Sequence, residues 1–430
     1  MRRTVHRLPG LLIANHEFSV PLDHASPHGE RITVFARELV APDKHEANLP
    51  ALLFLQGGPG FASPRPGEVS GWIKRALVDY RVLLLDQRGT GRSTPLVHDT
   101  LARQRSGRDL ADYLGHFRAD AIVADCEWIR RELLGEDTPW SVLGQSYGGF
   151  CITHYLSAHP EGLREVYITG GLPPVGVPVD DIYRATYRRV VERNRLYFER
   201  YPEDVDLVRT LADLLAANDV RLPGGGRLTP RRFQQLGLQL GMSDGFESLH
   251  YLLEQALPPG GPDDGPSYLF LRGVEAQQAF DTNPIYAVLH EAIYCEGAAS
   301  AWSAERVRGE FPELDVRPGR PVLFTGETIH PWMFEHYAFL RPFREAAEIL
   351  ARREDWPALY DPQRLASNAV PGAATVYHDD MYVEREFAEA TGRRIAGLRL
   401  WITNEHQHNA LRADGEKVLD RLIRMRRGEI

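Results

Sequence analysis

Four short apolar runs constrain this chain more than any other feature. They are Ala51-Leu52-Leu53-Phe54-Leu55, Arg81-Val82-Leu83-Leu84-Leu85, Trp140-Ser141-Val142-Leu143 and Glu165-Val166-Tyr167-Ile168. They stop at Gly57-Gly58-Pro59-Gly60, Asp86, Gly144 and Gly170-Gly171 respectively. A strand with one wet face alternates polar and apolar residues. Runs without a polar face belong to strands covered on both sides, as in a parallel sheet flanked by helices. Helical patterns fill the gaps at residues 71–78, 119–134 and 149–158. The alternation predicts an open α/β sheet, and ligands of such sheets sit beyond the carboxyl ends of the strands, where all four stops fall. Upstream, residues 17–22 and 31–40 alternate and predict an antiparallel hairpin at a sheet edge.

The rhythm changes after the sixth of these strand-like segments. Residues 173–359 read as mostly helical, interrupted by Gly/Pro stretches at 222–226 and 258–266 and by one short apolar run at 321–324. Strand-like runs resume at 373–377 and 398–402, with a helix-like crossover at 383–391 between them and a final helix at 415–427. The expected organisation is a sheet domain of residues 1–172 and 360–430 with a mainly helical cap, 173–359, inserted into it.

Composition excludes several classes. The net charge of −9 argues against a nucleic-acid binder, which needs excess Lys and Arg, but leaves room for a small cationic ligand. The three cysteines, Cys126, Cys151 and Cys295, are too sparse for a disulfide framework or a zinc site and read as buried thiols. No metal or other cofactor is expected. No apolar h-region follows Arg2-Arg3, and no stretch approaches the roughly 18 apolar residues of a membrane helix. A cytoplasmic protein without nucleic-acid or membrane partners is the expectation, and nothing in the sequence signals its oligomeric state.

Gly144-Gln145-Ser146-Tyr147-Gly148 matches G-x-S-x-G. The pattern has a cause: a sharp strand-to-helix turn holds the serine in a strained conformation, and side chains two residues to either side would collide. Its position between an apolar strand and a helix is the setting a nucleophile requires, so Ser146 is the expected nucleophile. An oxyanion hole needs two backbone N–H groups. Tyr147, just after the serine, would supply one. Gly58 in Gln56-Gly57-Gly58-Pro59-Gly60 would supply the other, and Gly57 lets this loop approach a substrate closely.

Gly57-Gly58-Pro59-Gly60, Asp86-Gln87-Arg88-Gly89-Thr90-Gly91-Arg92-Ser93 and Gly144-Gln145-Ser146-Tyr147-Gly148-Gly149, in that order, resemble the prolyl aminopeptidases (proline iminopeptidases) of the α/β-hydrolase superfamily. The resemblance is strong over residues 50–172 and looser over 285–415. One departure is Gln56, where the family often has His. Asp86 and Arg88 are expected to brace the loop beside the site. The resemblance implies an α/β-hydrolase fold with a cap and a serine aminopeptidase releasing N-terminal residues, preferentially proline, from small peptides.

The fold's chain order is Ser, then an acid, then His. His378-Asp379-Asp380-Met381 follows the first late strand, and Asn404-Glu405-His406-Gln407-His408-Asn409 follows the second. Each loop offers a pair. The family's loops are better matched by Asp380, with Met381 and Val383 after it, and by His408, with Asn409 and Leu411 after it; the two lie 28 residues apart. Glu327 is a rival acid, but about 80 residues separate it from His408, too many for one crossover.

An α-amino group is largely cationic at neutral pH. The resemblance implies cap glutamates that hold it, and Glu291, Glu296 and Glu327 are candidates, with Glu291 and Glu327 preferred. Phe61, Tyr147 and Trp332 are candidates for an apolar wall around a proline ring. The competing reading is an esterase or amidase for small acyl substrates, with the same triad and no amine clamp. A non-catalytic binding module is the third.

Overall fold

The apolar runs become the centre of one nine-stranded sheet. A computed structural model describes residues 2–97 and 105–430. The strands are β1 (Arg2–Leu8), β2 (Leu11–Pro21), β3 (Arg31–Val40), β4 (Ala51–Leu55), β5 (Arg81–Asp86), β6 (Trp140–Gln145), β7 (Leu163–Thr169), β8 (Gly372–Tyr377) and β9 (Leu398–Thr403). Their order is β1-β2-β3-β5-β4-β6-β7-β8-β9. The β1–β2, β2–β3 and β3–β5 pairs are antiparallel, and every other pair is parallel.

The absence of a polar face in the central strands has its physical counterpart in two cores. Leu52, Phe54, Leu84 and Leu143 point to one side and pack with Trp72, Ile73 and Leu77 of α1 (Gly71–Asp79) and Val418, Leu419 and Leu422 of the last helix, Gly415–Arg427. Leu53, Leu55, Leu83, Leu85 and Val142 point to the other side. They pack with α2 (Gly107–Leu114), α3 (Ala119–Leu134) and α4 (Tyr147–Ala158), and this core continues into the helices that follow β7.

Two features differ from expectation. The first hairpin is β1–β2, turning at Pro9-Gly10, where Gly10 has φ 73°. The Pro-Gly pair signals such a turn, but β1 is exposed along nearly its whole length and so shows no apolar pattern. The insertion therefore follows the seventh strand. Residues 170–371 add no strand to the sheet, and their longest helix is Val179–Arg200.

Arg88, just after β5, ties the chain that leaves β2 to α3. Its guanidinium is fully buried and meets Asp125 through Nε–Oδ2 at 2.7 Å and Nη2–Oδ1 at 2.6 Å. It also donates to the carbonyls of Leu22 at 2.8 Å and His116 at 2.6 Å. A buried charge pair of this kind is tolerated because every donor has an acceptor; removing one partner strands the other. Arg88→Met is expected to cost about 3–5 kcal/mol. Urea unfolding followed by circular dichroism checks this; a loss below about 1 kcal/mol would contradict it.

Candidate active site

Ser146 stands at the turn from β6 into α4 with φ 53° and ψ −123°, a conformation side-chain-bearing residues rarely adopt. The surrounding backbone leaves no slack. A Cβ on Gly144 would lie 2.5 Å from the Gly148 carbonyl carbon, and one on Gly148 would collide with the Leu55 carbonyl oxygen. The turn is pinned from the neighbouring strand, where the Thr169 carbonyl accepts from Ser146 N at 2.9 Å. Packing, not local preference, holds the serine in this conformation.

His408 and Asp380 reach Ser146 from the loops after β9 and β8. His408 Nε2 is 2.9 Å from Ser146 Oγ, and His408 Nδ1 is 2.8 Å from Asp380 Oδ2. Asp380 Oδ1 accepts the backbone N–H groups of Tyr382 at 2.9 Å and Val383 at 3.0 Å, which fixes the carboxylate's orientation. A carboxylate only accepts, so neutral His408 carries its proton on Nδ1 and turns the Nε2 lone pair to the serine hydroxyl. The neighbouring candidates lie elsewhere. Asp379 is half-exposed and pairs with His378, and the His406 ring packs edge-on against Trp401.

Burial draws the His408 imidazolium down, but the charge and hydrogen bond of Asp380, with the charge of Glu327 added, outweigh it; the net pKa lies above that of an ordinary histidine. The Tyr382 ring covers His408, with centroids 4.6 Å apart.

The loop after β4 comes directly against the serine. A Cβ on Gly57 would stand 2.9 Å from Ser146 Cβ, so only glycine allows this approach. Gly58 follows in the same loop. Tyr147 is the first residue of α4, so its N–H has no carbonyl four residues back to bond within the helix. The Asp86–Ser93 segment braces this loop from below: Gln87 Nε2 donates to the Gln56 carbonyl at 3.0 Å. Asp86 receives Ser63 N at 3.1 Å, Arg92 N at 2.9 Å and Arg65 Nη1 at 2.8 Å.

Glu327 faces this centre from the inserted segment. Asn194 positions the chain before it, its side-chain amide accepting from Phe324 N at 2.7 Å and donating to Phe324 O at 2.9 Å. Tyr286 Oη donates to Glu327 Oε1, and the Tyr286 ring meets Phe61 edge-on at 5.1 Å. The other oxygen, Oε2, lies 3.7 Å from Nε2 of buried His290. Burial lowers the pKa of His290 despite the opposing charge of Glu327, so near neutral pH it does not neutralise the carboxylate. Among the described residues no Lys or Arg lies within ion-pair distance of Glu327.

The other glutamates differ from expectation. The Glu291 carboxylate accepts Ser303 N at 3.2 Å and Ala304 N at 2.9 Å, which commits both oxygens to the start of the helix Ser303–Arg308. Glu296 Oε1 accepts Leu359 N and Tyr360 N. Of the apolar candidates, Phe61 flanks the Gly57-Gly58 loop, whereas Tyr147 is core beside Phe150 and Trp332 stacks with His330 and His336. Tyr286, His290, Tyr382 and Asn194 had no sequence signal as site residues, because their roles arise only when the inserted segment folds over the sheet. Among the described residues no group of three or more His, Cys, Asp and Glu is placed to hold a metal ion. No helix among them is long and apolar enough to cross a membrane.

The chain is similar to known proteins over nearly its whole length. The family model of the α/β hydrolase fold matches residues 50–262. A proline iminopeptidase of Aeromonas sobria is 54% identical over 421 residues, covering 98% of each chain. Proline iminopeptidase aneH of Aspergillus aculeatus is 36% identical over 425 residues, covering 96% of this chain and 93% of that one. A crystal structure of proline iminopeptidase from Mycobacterium smegmatis aligns over 96% of this chain and 98% of that one, at 14% identity and a TM-score of 0.45.

A base acts only when neutral, so if His408 serves as one, turnover is expected to fall as pH drops through its raised pKa. The acid limb of kcat/KM on an activated acyl substrate is expected above about pH 6.5, the ordinary histidine value. A limb below that value contradicts the coupling of His408 to Asp380.

Proposed function

The chain belongs to the proline iminopeptidase family of α/β-hydrolase-fold enzymes, and from that premise we propose that it is a serine aminopeptidase that removes an N-terminal residue, preferentially proline, from small peptides. In this reading His408 takes the Ser146 hydroxyl proton as Oγ attacks the carbonyl carbon of the first residue. The N–H groups of Tyr147 and Gly58 receive the oxyanion. His408 returns the proton to the leaving amine as the C–N bond breaks, and water then releases the acyl group through the same relay. Asp380 holds the histidine tautomer and stabilises the imidazolium. Residues 173–359 act as a cap that closes over the acyl residue, with Gly57 and Phe61 on the facing wall.

The observation that carries the aminopeptidase reading is Glu327. Its carboxylate faces the serine centre with one oxygen bonded by Tyr286, the other beyond hydrogen-bond range of a neutral histidine, and among the described residues no Lys or Arg paired with it. A carboxylate so placed is stabilised by a cation, and the free N-terminal ammonium of a peptide supplies one at a fixed distance from the first carbonyl. Glu291 supports this wall indirectly by holding the chain at Ser303 and Ala304. Three buried free thiols fit a reducing cytoplasmic setting. An esterase needs no such carboxylate.

Two substrates test the reading. A proline arylamide is expected to be cleaved and its N-acetyl derivative left essentially intact. Glu327→Gln is expected to lower kcat/KM on the free form by about 10–100-fold, mainly through KM. Equal cleavage of the two arylamides would falsify the amine clamp and favour the esterase or amidase reading.

A further inference from the structure

A cleft of about 680 Å³ opens beside the catalytic centre on the His408 side. The amides of Gln56, Gln145 and Gln239 line it together, next to His408, Asn409 and Met242. All three glutamines are half-buried, and among the described residues none of their side chains makes a hydrogen bond to the protein. Their amide atoms are not sealed in the protein but open to the cleft, where a ligand can reach them. Three of them, carried by three separate segments into one cleft beside His408, present a set of neutral donors and acceptors to whatever enters it. Gln56 and Gln145 immediately precede Gly57 and Ser146, and Gln239 comes from the inserted segment above them.

The position of the cleft names the occupant. His408 Nε2 delivers its proton to the departing nitrogen, so the leaving half of the substrate lies on the side of the serine that His408 borders. Each carboxamide offers both a donor and an acceptor, the complement of a peptide group's C=O and N–H. Resting on the aminopeptidase reading, we infer that this cleft is the leaving-peptide subsite, in which Gln56, Gln145 and Gln239 hydrogen-bond the backbone of the residues after the scissile bond. The enzyme is thereby matched to substrates whose leaving group is itself a peptide rather than any amine. It also gives Gln56 a task that the family's usual histidine would perform with one donor and one acceptor on a ring instead of a flexible amide.

The experiment compares kcat/KM for Pro-Gly-Gly with that for proline 4-nitroanilide, in the full-length wild type and in Gln239→Ala and Gln56→Leu. Both substrates share the acyl half, so changes at the serine, the oxyanion loop or the amine clamp cancel in the ratio of the two values. The tripeptide-to-anilide ratio is expected to fall about fivefold in each variant, the effect of one lost neutral hydrogen bond, through a higher KM for the tripeptide. Gln239 lies away from the tight loop at Gly57, so its variant reports even where Gln56→Leu fails to fold. A ratio unchanged within about twofold overturns the subsite. A wild type that cleaves the anilide but not the tripeptide overturns the subsite and the peptide substrate, while leaving the amine clamp and the serine chemistry standing. A wild type that cleaves neither overturns both.

Discussion

The whole site depends on one close contact: the backbone of Gly148 lies against the Leu55 carbonyl, so that α4 begins hard against the end of β4. That approach forces the chain to turn at Ser146 with positive φ and brings the glycine loop after β4 to the same point. Strain of about 1–3 kcal/mol at such a residue persists only where the surroundings over-determine it. Here they are two buried cores, one on each face of the sheet, and a bracing segment from Asp86 to Ser93. The same sheet presents the loops after β8 and β9 to the serine, so a single packing constraint brings Ser146, His408 and Asp380 together.

Much of this was legible in the sequence because the physics is local. Continuous apolar strands announce two covered faces, and the glycines around Ser146 announce backbone crowding. The loops after the late strands were legible as loops, and Asp380 was preferred to Asp379 only through the family resemblance of the residues after it. The physical difference between the adjacent residues arises when Tyr382 and Val383 N–H groups capture one oxygen of Asp380 while the other meets His408. β1 escaped notice for the opposite reason, since an exposed arginine-rich strand has no apolar face to display. Glu291 and Glu327 looked equivalent in sequence. They diverge because the helix start at Ser303 and Ala304 folds onto Glu291, whereas Glu327 is left with a tyrosine and a buried histidine.

The electrostatics of the enclosure are consistent with that divergence. Against its burial, Asp380 and to a smaller extent Glu327 raise the pKa of His408, whereas His290 beside Glu327 is driven down by burial. On the proposed reading one carboxylate serves two ends: it binds the cationic end of the substrate, and it stabilises the imidazolium that forms when His408 takes the serine proton.

The most direct test of the central claim is labelling with a fluorophosphonate, followed by peptide mapping by mass spectrometry. Such reagents phosphonylate a serine only where a neighbouring base activates it. The geometry predicts one adduct per chain, on Ser146, and its loss in His408→Ala. An adduct on another serine, or undiminished labelling of Ser146 without His408, would contradict the account.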